Sequence, residues 1–375
     1  MGNPLNSISV KGFKSIRSVE DFALNSLNVL IGGNGSGKSN FIDVFRLLRA
    51  MLELSLPELS KSNLATYIEV GGGFDGFLFN GPKATKSLLV KLMFGLNGYR
   101  FSLAPTASGK YIIESEETYF KKSGWWTLGS GHRKPELLED KDKQGSMGGR
   151  SVASYIYDAI DSWRIYHFHD TSKTAAVRRY ESIKDKRYLR FDASNIAPFL
   201  LHLREKNNVA YTDIVDTIRL VTPFFKDFLL DTQMQGEREE VNLSWIQNGS
   251  DYPMQPYHLS DGTLRFICLA TALLQPNPPS TLIIDEPELG LHPYAVDILA
   301  ELIKTASSKT QLIISTQSPA LVDNFDPENI VVVRRKNGAS TFERLNSEDL
   351  SQWLESYSLG DLWRKNVIAG GPLHE

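Results

Sequence analysis

The sequence predicts an α/β fold: a mostly parallel sheet flanked by helices, with an antiparallel β part near the N-terminus and a helical insertion between two sheet-forming ends. Three observations predict it. Short apolar strand runs alternate with helix-patterned runs at both ends of the chain, the pattern of a sheet covered on both faces. A glycine-rich loop joins one such strand to a helix near the N-terminus. An acidic pair closes another strand so much later that a large insertion must separate the two halves of the sheet.

The elements follow in order. Residues 5–16 and 27–33 are apolar strand runs bounded by Gly and Asn. Residues 39–54 switch to a helical period, with Phe41, Val44, Phe45, Leu48 and Leu52 on one face. Residues 87–95 and 99–105 read as an antiparallel pair joined by "LNG". From 105 to 250 the pattern loosens. Residues 121–150 are charged and Gly-rich, an expected excursion, and 196–206 and 212–230 read as helices. From 259 the order returns: helix, strand 281–285, helix 294–306, strand 311–316, then strands at 329–335 and 341–345. The expected division is therefore 1–104, 105–250 and 251–375, the middle part mostly helical or irregular.

Composition bounds the partners. The 375 residues are 41% hydrophobic with a net charge of −3, enough for a sizeable core and without the global basic excess of a nucleic-acid coat. The single Cys268 excludes a disulfide scaffold and a cysteine zinc site, and it suits a reducing compartment. No apolar run approaches the ~20 residues that cross a bilayer. "MGNPLNS" lacks the layout of a signal peptide, and Asn6 breaks the myristoylation pattern. A cytoplasmic protein without membrane contact is expected.

"GGNGSGKS", Gly32–Ser39, matches the phosphate-loop pattern G-x-x-x-x-G-K-[ST], with a strand before it and a helix after it. Glycines let successive backbone N–H groups curl round phosphate oxygens at a helix N-terminus. Gly32, Asn34, Gly35, Gly37, Lys38, Ser39 and Asn40 are the expected nucleotide-binding residues, Lys38 on the β- and γ-phosphates and Ser39 on Mg²⁺. "TLIIDEPELGLHP" delivers Asp285 to the carboxyl end of a buried strand, where ligands of α/β sheets bind. Asp285 then holds Mg²⁺ through water, and Glu286 orients or deprotonates the attacking water. Pro293 fits the first position of the next helix.

Together, "GFKSI", "GGNGSGKSN", "LSDGT", "IIDEPELGLHP" and "STQSPALVD" resemble the ABC-type ATPase heads of the SMC, RecF and OLD (overcoming lysogenization defect) group. The resemblance covers roughly 1–50 and 257–335, as a head without coiled coil or Toprim domain. It implies ATP and Mg²⁺ as cofactors and a homodimer closed through the ATP sites, with larger assemblies open. It also implies that Ser260 and the backbone near Gly262 cap the γ-phosphate of the other subunit. Ser260 equally suits an N-cap, and the two roles are compatible. Two features depart from the pattern. Gln317 stands where these ATPases usually carry a histidine, and an amide cannot become a cation. No glutamine occurs between Ser39 and Lys143, which leaves Asn80 as the substitute for the usual one.

Other features keep two readings each. His167 and His169 lie two apart on an expected strand, as satisfied strand histidines or as a metal pair. Lys173–Arg190 holds seven basic residues against two acidic ones, with Tyr180 and Tyr188 among them. That stretch suits a solvated helical face or duplex DNA. Residues 354–371 look amphipathic, for the core or for a partner groove. The expected function is an ATP-hydrolysing, ATP-dependent dimerising switch. It controls a separate effector, nuclease-type, in DNA repair or defence against phage and mobile DNA, since too little chain follows Asp285 for a Toprim domain. The alternative is a DNA-clamping head that works without a nuclease partner.

Overall fold

The computed structural model describes residues 4–53, 63–107, 109–145 and 149–368. Two six-stranded sheets organise them. The first is antiparallel, in the order Ile16–Ala23, Ser7–Phe13, Leu88–Phe94, Asn97–Pro105, Tyr111–Phe120 and Gly124–Gly129. The second runs Ala339–Arg344, Ile330–Lys336, Leu27–Ile31, Gln311–Thr316, Thr281–Asp285 and Arg164–Tyr166. Its pairs are parallel apart from the hairpin formed by the first two strands.

The strands Leu27–Ile31, Thr281–Asp285 and Gln311–Thr316 are buried along almost their whole length, as covering on both faces requires. Alternate residues feed two cores. Leu30, Ile283 and Ile313 pack with the antiparallel sheet and the helix Lys38–Met51, while Val29, Ile284 and Ile314 pack with the helices Asp261–Leu274 and Pro293–Ser307. The helix Lys38–Met51 buries Phe41, Val44, Phe45 and Leu48, as the spacing predicts, but also Ile42, Leu47 and Arg49. Arg49 is tolerated there because its guanidinium donates to the carbonyls of Ile160, Asp161 and Trp163. The first two carbonyls belong to the last turn of the helix Val152–Asp161, an end that favours a cation, and the third lies just beyond it.

Several expectations change. The boundary at 104/105 falls inside the strand Asn97–Pro105, and the antiparallel sheet continues through Gly124–Gly129. The stretch 121–150 is thus structured over its described part. Its short helix Leu137–Asp140 is held by the fully buried Glu116, which accepts from the N–H groups of Glu136 (2.8 Å) and Leu137 (3.1 Å). Residues 146–148 lie outside the described residues. The middle segment also supplies the edge strand Arg164–Tyr166 of the parallel sheet. His167 and His169 follow that strand instead of lying on it.

The helix expected over 212–230 stops at Val221, because Thr222-Pro223 cannot continue it, and Phe225–Leu229 pairs with Ser244–Gln247. Lys173–Arg190 forms a 3-10 turn at Ala176–Arg178 and the short strand Glu181–Ser182, not a helical face. Arg190 there stays exposed but is paired with Asp185 (2.6 Å), which offsets part of the basic charge. The C-terminal helix Leu359–Arg364 buries Leu359, Leu362 and Trp363 in the core, the first of the two readings for that stretch. Residues 369–371 lie outside the described residues.

Candidate active site

The glycine loop is seated on the hairpin Ile330–Lys336/Ala339–Arg344. Gly37 has φ 113°, a left-handed backbone, and a Cβ there would collide with the Ser340 hydroxyl. A Cβ on Gly32 would collide with the carbonyl of Val333. Four groups form a directed chain beneath the loop. Ser340 Oγ donates to the carbonyl of Ser36 (2.6 Å), so its single proton is committed. Ser15 Oγ, 2.7 Å from Ser340 Oγ, must then donate to it, and Ser15 accepts from the Asn40 amide (2.7 Å). Asn40, expected at the nucleotide, therefore directs its amide to the "GFKSI" hairpin instead. Asn34, Gly35 and Ser39 are exposed.

Lys38 is only 6% exposed, and its ammonium donates to the carbonyls of Gly32 (2.5 Å) and Gly33 (3.3 Å). Burial lowers its pKa, opposed by the charges of Glu286, Asp285 and Glu288. The strands Leu27–Ile31 and Thr281–Asp285 flank Gln311–Thr316 in parallel, so the loop of Lys38 and the acids after Ile284 leave the sheet at the same carboxyl edge.

Asp285 ends its strand and accepts from the Ser315 hydroxyl on the neighbouring strand. Glu286 has φ 45°, a left-handed conformation that costs a β-unbranched residue about 1–3 kcal/mol and persists where the surroundings fix it. Its N–H donates to Ser315 O (2.9 Å), and its carboxylate accepts from the side-chain amide of Gln317. Glu288 was not expected in the site. Its Oε1 accepts from the Thr316 hydroxyl (2.6 Å) and the Gln317 N–H (3.0 Å), while Oε2 is buried without a hydrogen bond. Burial raises its pKa above the usual carboxylate value.

Ser260 caps the helix Asp261–Leu274 by accepting from the Thr263 N–H (3.1 Å), and its hydroxyl is 2.8 Å from Thr263 Oγ1. The side chain is exposed and keeps to its own helix. A Cβ on Gly262 would collide with the carbonyl of Gly290, so the start of this helix rests on the loop beyond Glu288. Two arginines fix the turn. Arg178 donates to the carbonyls of Pro256 and Leu259 and to Asp261 (2.9 Å). Arg265 donates to the carbonyls of Phe168 (2.9 Å), His169 (3.2 Å) and Leu289.

Of the expected residues, the fold gathers Lys38, Asp285, Glu286 and Gln317, and leaves Ser260 at the exposed N-terminus of its own helix. Asn80 is exposed and makes no side-chain cap to the short helix Gly81–Ala84. The rings of His167 and His169 stack with centroids 3.9 Å apart, beside Asp285. Among the described residues no group of three His, Cys, Asp or Glu is arranged to hold a metal, and no helix is long and apolar enough to cross a membrane. Sequence reasoning missed Glu288, Arg178 and Arg265. The last leaves a signal, a lone cation inside the apolar run "TLRFICLATALL".

A family model described as "AAA domain, putative AbiEii toxin, Type IV TA system" matches residues 27–323, from the first strand of the parallel sheet to beyond Gln317. The chain belongs to this family. Its fold is that of an ABC-type, SMC/RecF-like ATPase head. The chain is similar to an SMC head in a crystal structure with the C-terminal winged-helix domain of ScpA, at TM-score 0.60 and 16% identity, covering 93% of this chain and 99% of that one. It is also similar to an SMC head from Pyrococcus furiosus with an extended coiled coil, bound to the C-terminal domain of ScpA. There the TM-score is 0.54 and the identity 18%, over 94% of this chain and 98% of that one. At such identities the likeness is one of fold. Urease accessory protein 2 of Cryptococcus neoformans var. grubii is 25% identical over 201 residues, or 48% of this chain, and the match spans 16% of that protein.

Proposed function

We propose that this member of the AAA family binds and hydrolyses ATP and dimerises through its ATP sites as a switch on a partner effector. The observation that carries the reading is the parallel pairing that brings the strand ends before the phosphate loop, at Asp285 and before Gln317 to one sheet edge, with Gln317 holding Glu286. Ser39 and Asp285 would hold Mg²⁺. Their hydroxyl and carboxylate oxygens are hard donors, few in number, and so suit an ion that keeps waters and phosphate oxygens as its other ligands. When bound, the ion supplies charge neutralisation across the phosphates. Lys38 stabilises the negative charge that builds on the γ-phosphoryl oxygens. Glu286, oriented by the Gln317 amide, takes a proton from the water whose oxygen bonds to the γ-phosphorus. The bond from that phosphorus to the bridging oxygen breaks, and ADP leaves with its electron pair.

Ser260 serves the site of a second copy. Its hydroxyl is exposed at a helix N-terminus, a place that suits an anion, and the turn that carries it is held by Arg178 and Arg265. The effector is a separate protein, nuclease-type, in DNA repair or in defence against phage and mobile DNA. The family description, which names a toxin system, and the ScpA-bound SMC heads support a head that works through a partner. The test is ATP turnover against protein concentration, with and without linear duplex DNA, beside Lys38→Ala. Specific activity that rises with concentration and is lost in Lys38→Ala supports the switch. Turnover that is flat with concentration removes the shared site. Salt-sensitive duplex binding that needs ATP, with no partner recovered, supports the DNA-clamping alternative.

A further inference from the structure

The edge strand Arg164–Tyr166 pairs in parallel with the acidic strand, Tyr166 opposite Ile284, so the chain emerges at His167 alongside Asp285. Ligands of α/β sheets bind just beyond such carboxyl ends. Phe168 turns inward, stacked on Tyr166 with centroids 5.1 Å apart, and the histidines on either side of it are only half-buried. Their rings lie nearly parallel, at 12°. His169 Nε2 is 3.1 Å from the backbone carbonyl of Asp285. A carbonyl only accepts, so Nε2 carries a proton, and in the tautomer this selects Nδ1 is the acceptor. The backbone behind the ring is clamped by Arg265, which donates to the carbonyls of both Phe168 and His169. A ring fixed by its stack, its own hydrogen bond and its backbone is a preorganised acceptor beside the carboxylate that ends the strand.

We propose that His169 is a positioning residue of the hydrolytic site, its Nδ1 accepting from water bound to the magnesium nucleotide beside Asp285, with His167 as the ring that holds it in place. The proposal rests on the ATPase reading above. It assigns to His169 the contact that the missing glutamine left open and that the exposed Asn80 does not make. It also replaces the notion of a His167–His169 metal pair with one in which neither ring ligates the ion.

The test uses the full chain, with His169→Phe, His169→Asn, His167→Phe and Lys38→Ala. Three quantities are read: ATP turnover, affinity for a fluorescent ATP analogue, and water-proton relaxation with Mn²⁺ and ATP. Loss of an outer-shell partner is worth about 10–100-fold, so His169→Phe lowers turnover by about that factor and alters the Mn²⁺ relaxation. Its nucleotide affinity stays within about threefold of wild type, because no phosphate contact is removed. His169→Asn restores turnover, since its Oδ1 accepts near the position of Nδ1, and His167→Phe preserves the stack and most activity. The proposal is overturned if His169→Phe matches wild type in turnover and relaxation, or if His169→Asn is as impaired as His169→Phe. Where wild-type turnover is too slow to read, the Mn²⁺ relaxation alone decides by the same comparison. A wild type that binds the analogue no better than Lys38→Ala overturns the ATPase reading, and the proposal falls with it.

Discussion

The side-chain amide of Gln317 donates to the carboxylate of Glu286, and the backbone N–H of the same Gln317 donates to Glu288 at 3.0 Å. One residue beyond the strand Gln311–Thr316 therefore holds two of the acids that follow the acidic strand. An amide donates at every pH and never becomes a cation. It can orient Glu286 without competing for the proton that a general base must take.

Glu286→Gln keeps a hydrogen-bonding partner for Gln317 and removes the basic oxygen. A positioned base contributes about 10²–10⁴ in rate, so turnover is expected to fall by that factor, or about 3–5 kcal/mol in barrier. Affinity for ATP stays close to wild type. Phosphate release under saturating ATP, paired with a binding titration, measures both. A loss below about tenfold would remove Glu286 from the base role.

Ser340→Ala breaks the chain from Asn40 through Ser15 and Ser340 to the Ser36 carbonyl. The orphaned carbonyl and hydroxyl lie in a buried place, and each unsatisfied group costs about 1–3 kcal/mol. The missing hydroxyl also removes the surface on which Gly37 rests. The expected result is a lower melting temperature together with weaker ATP binding. Unchanged ATP affinity beside a lowered melting temperature would show that the support stabilises the fold without shaping the loop.

Both halves of this site were legible in the sequence because their parts are local. A strand, a glycine turn and a helix in succession specify the phosphate loop, and the apolar run Leu282–Ile284 before Asp285 specifies its strand. The trio around Gln317 was half legible, since Gln317 and Glu286 were placed but Glu288, inside the same quoted run, was not singled out. What stayed hidden depends on distant partners. Arg178 reads as one of seven basic residues in a surface run until the fold carries it to Pro256 and Leu259. Glu116 looks like any strand acid until its carboxylate is seen to fasten the start of Leu137–Asp140. The helix called over 212–230 failed for a local reason, since a Thr-Pro step outweighs the apolar period on either side of it.

Glu288 gives a pH-dependent test. Burial raises its pKa above the ordinary 4.5, although the Thr316 hydroxyl and the Gln317 N–H favour the carboxylate. At acid pH the group is protonated in both the folded and the unfolded chain. As pH rises through the ordinary value the unfolded chain releases its proton first, the folded state binds more protons, and stability falls until the pH passes the raised folded value. Glu288→Gln cannot ionise, so its melting temperature relative to wild type should climb across that window and then level. A gap that is constant, or that narrows with rising pH, contradicts the assignment.

Arg265 joins three segments that lie far apart in the chain: the histidine turn through Phe168 and His169, the acidic loop through Leu289, and its own helix behind Ser260. Only a planar fork of donors reaches three carbonyls at once, so lysine is not a conservative replacement. Burial disfavours the charged guanidinium, and these carbonyls are what compensate it. Arg265→Lys leaves at least one carbonyl unpaired in a site that is 6% exposed, and a stability loss of about 2–4 kcal/mol is expected. The consequence for function is more specific. With the tie gone, the helix start that carries Ser260 loses its fixed relation to Asp285 and Glu286, while the phosphate loop keeps its seat on the hairpin. ATP binding should therefore survive at a temperature well below the lowered melting point, and the rise of turnover with protein concentration should be lost. Turnover that still climbs with concentration in a folded Arg265→Lys protein would show that the Ser260 turn holds its place without the arginine.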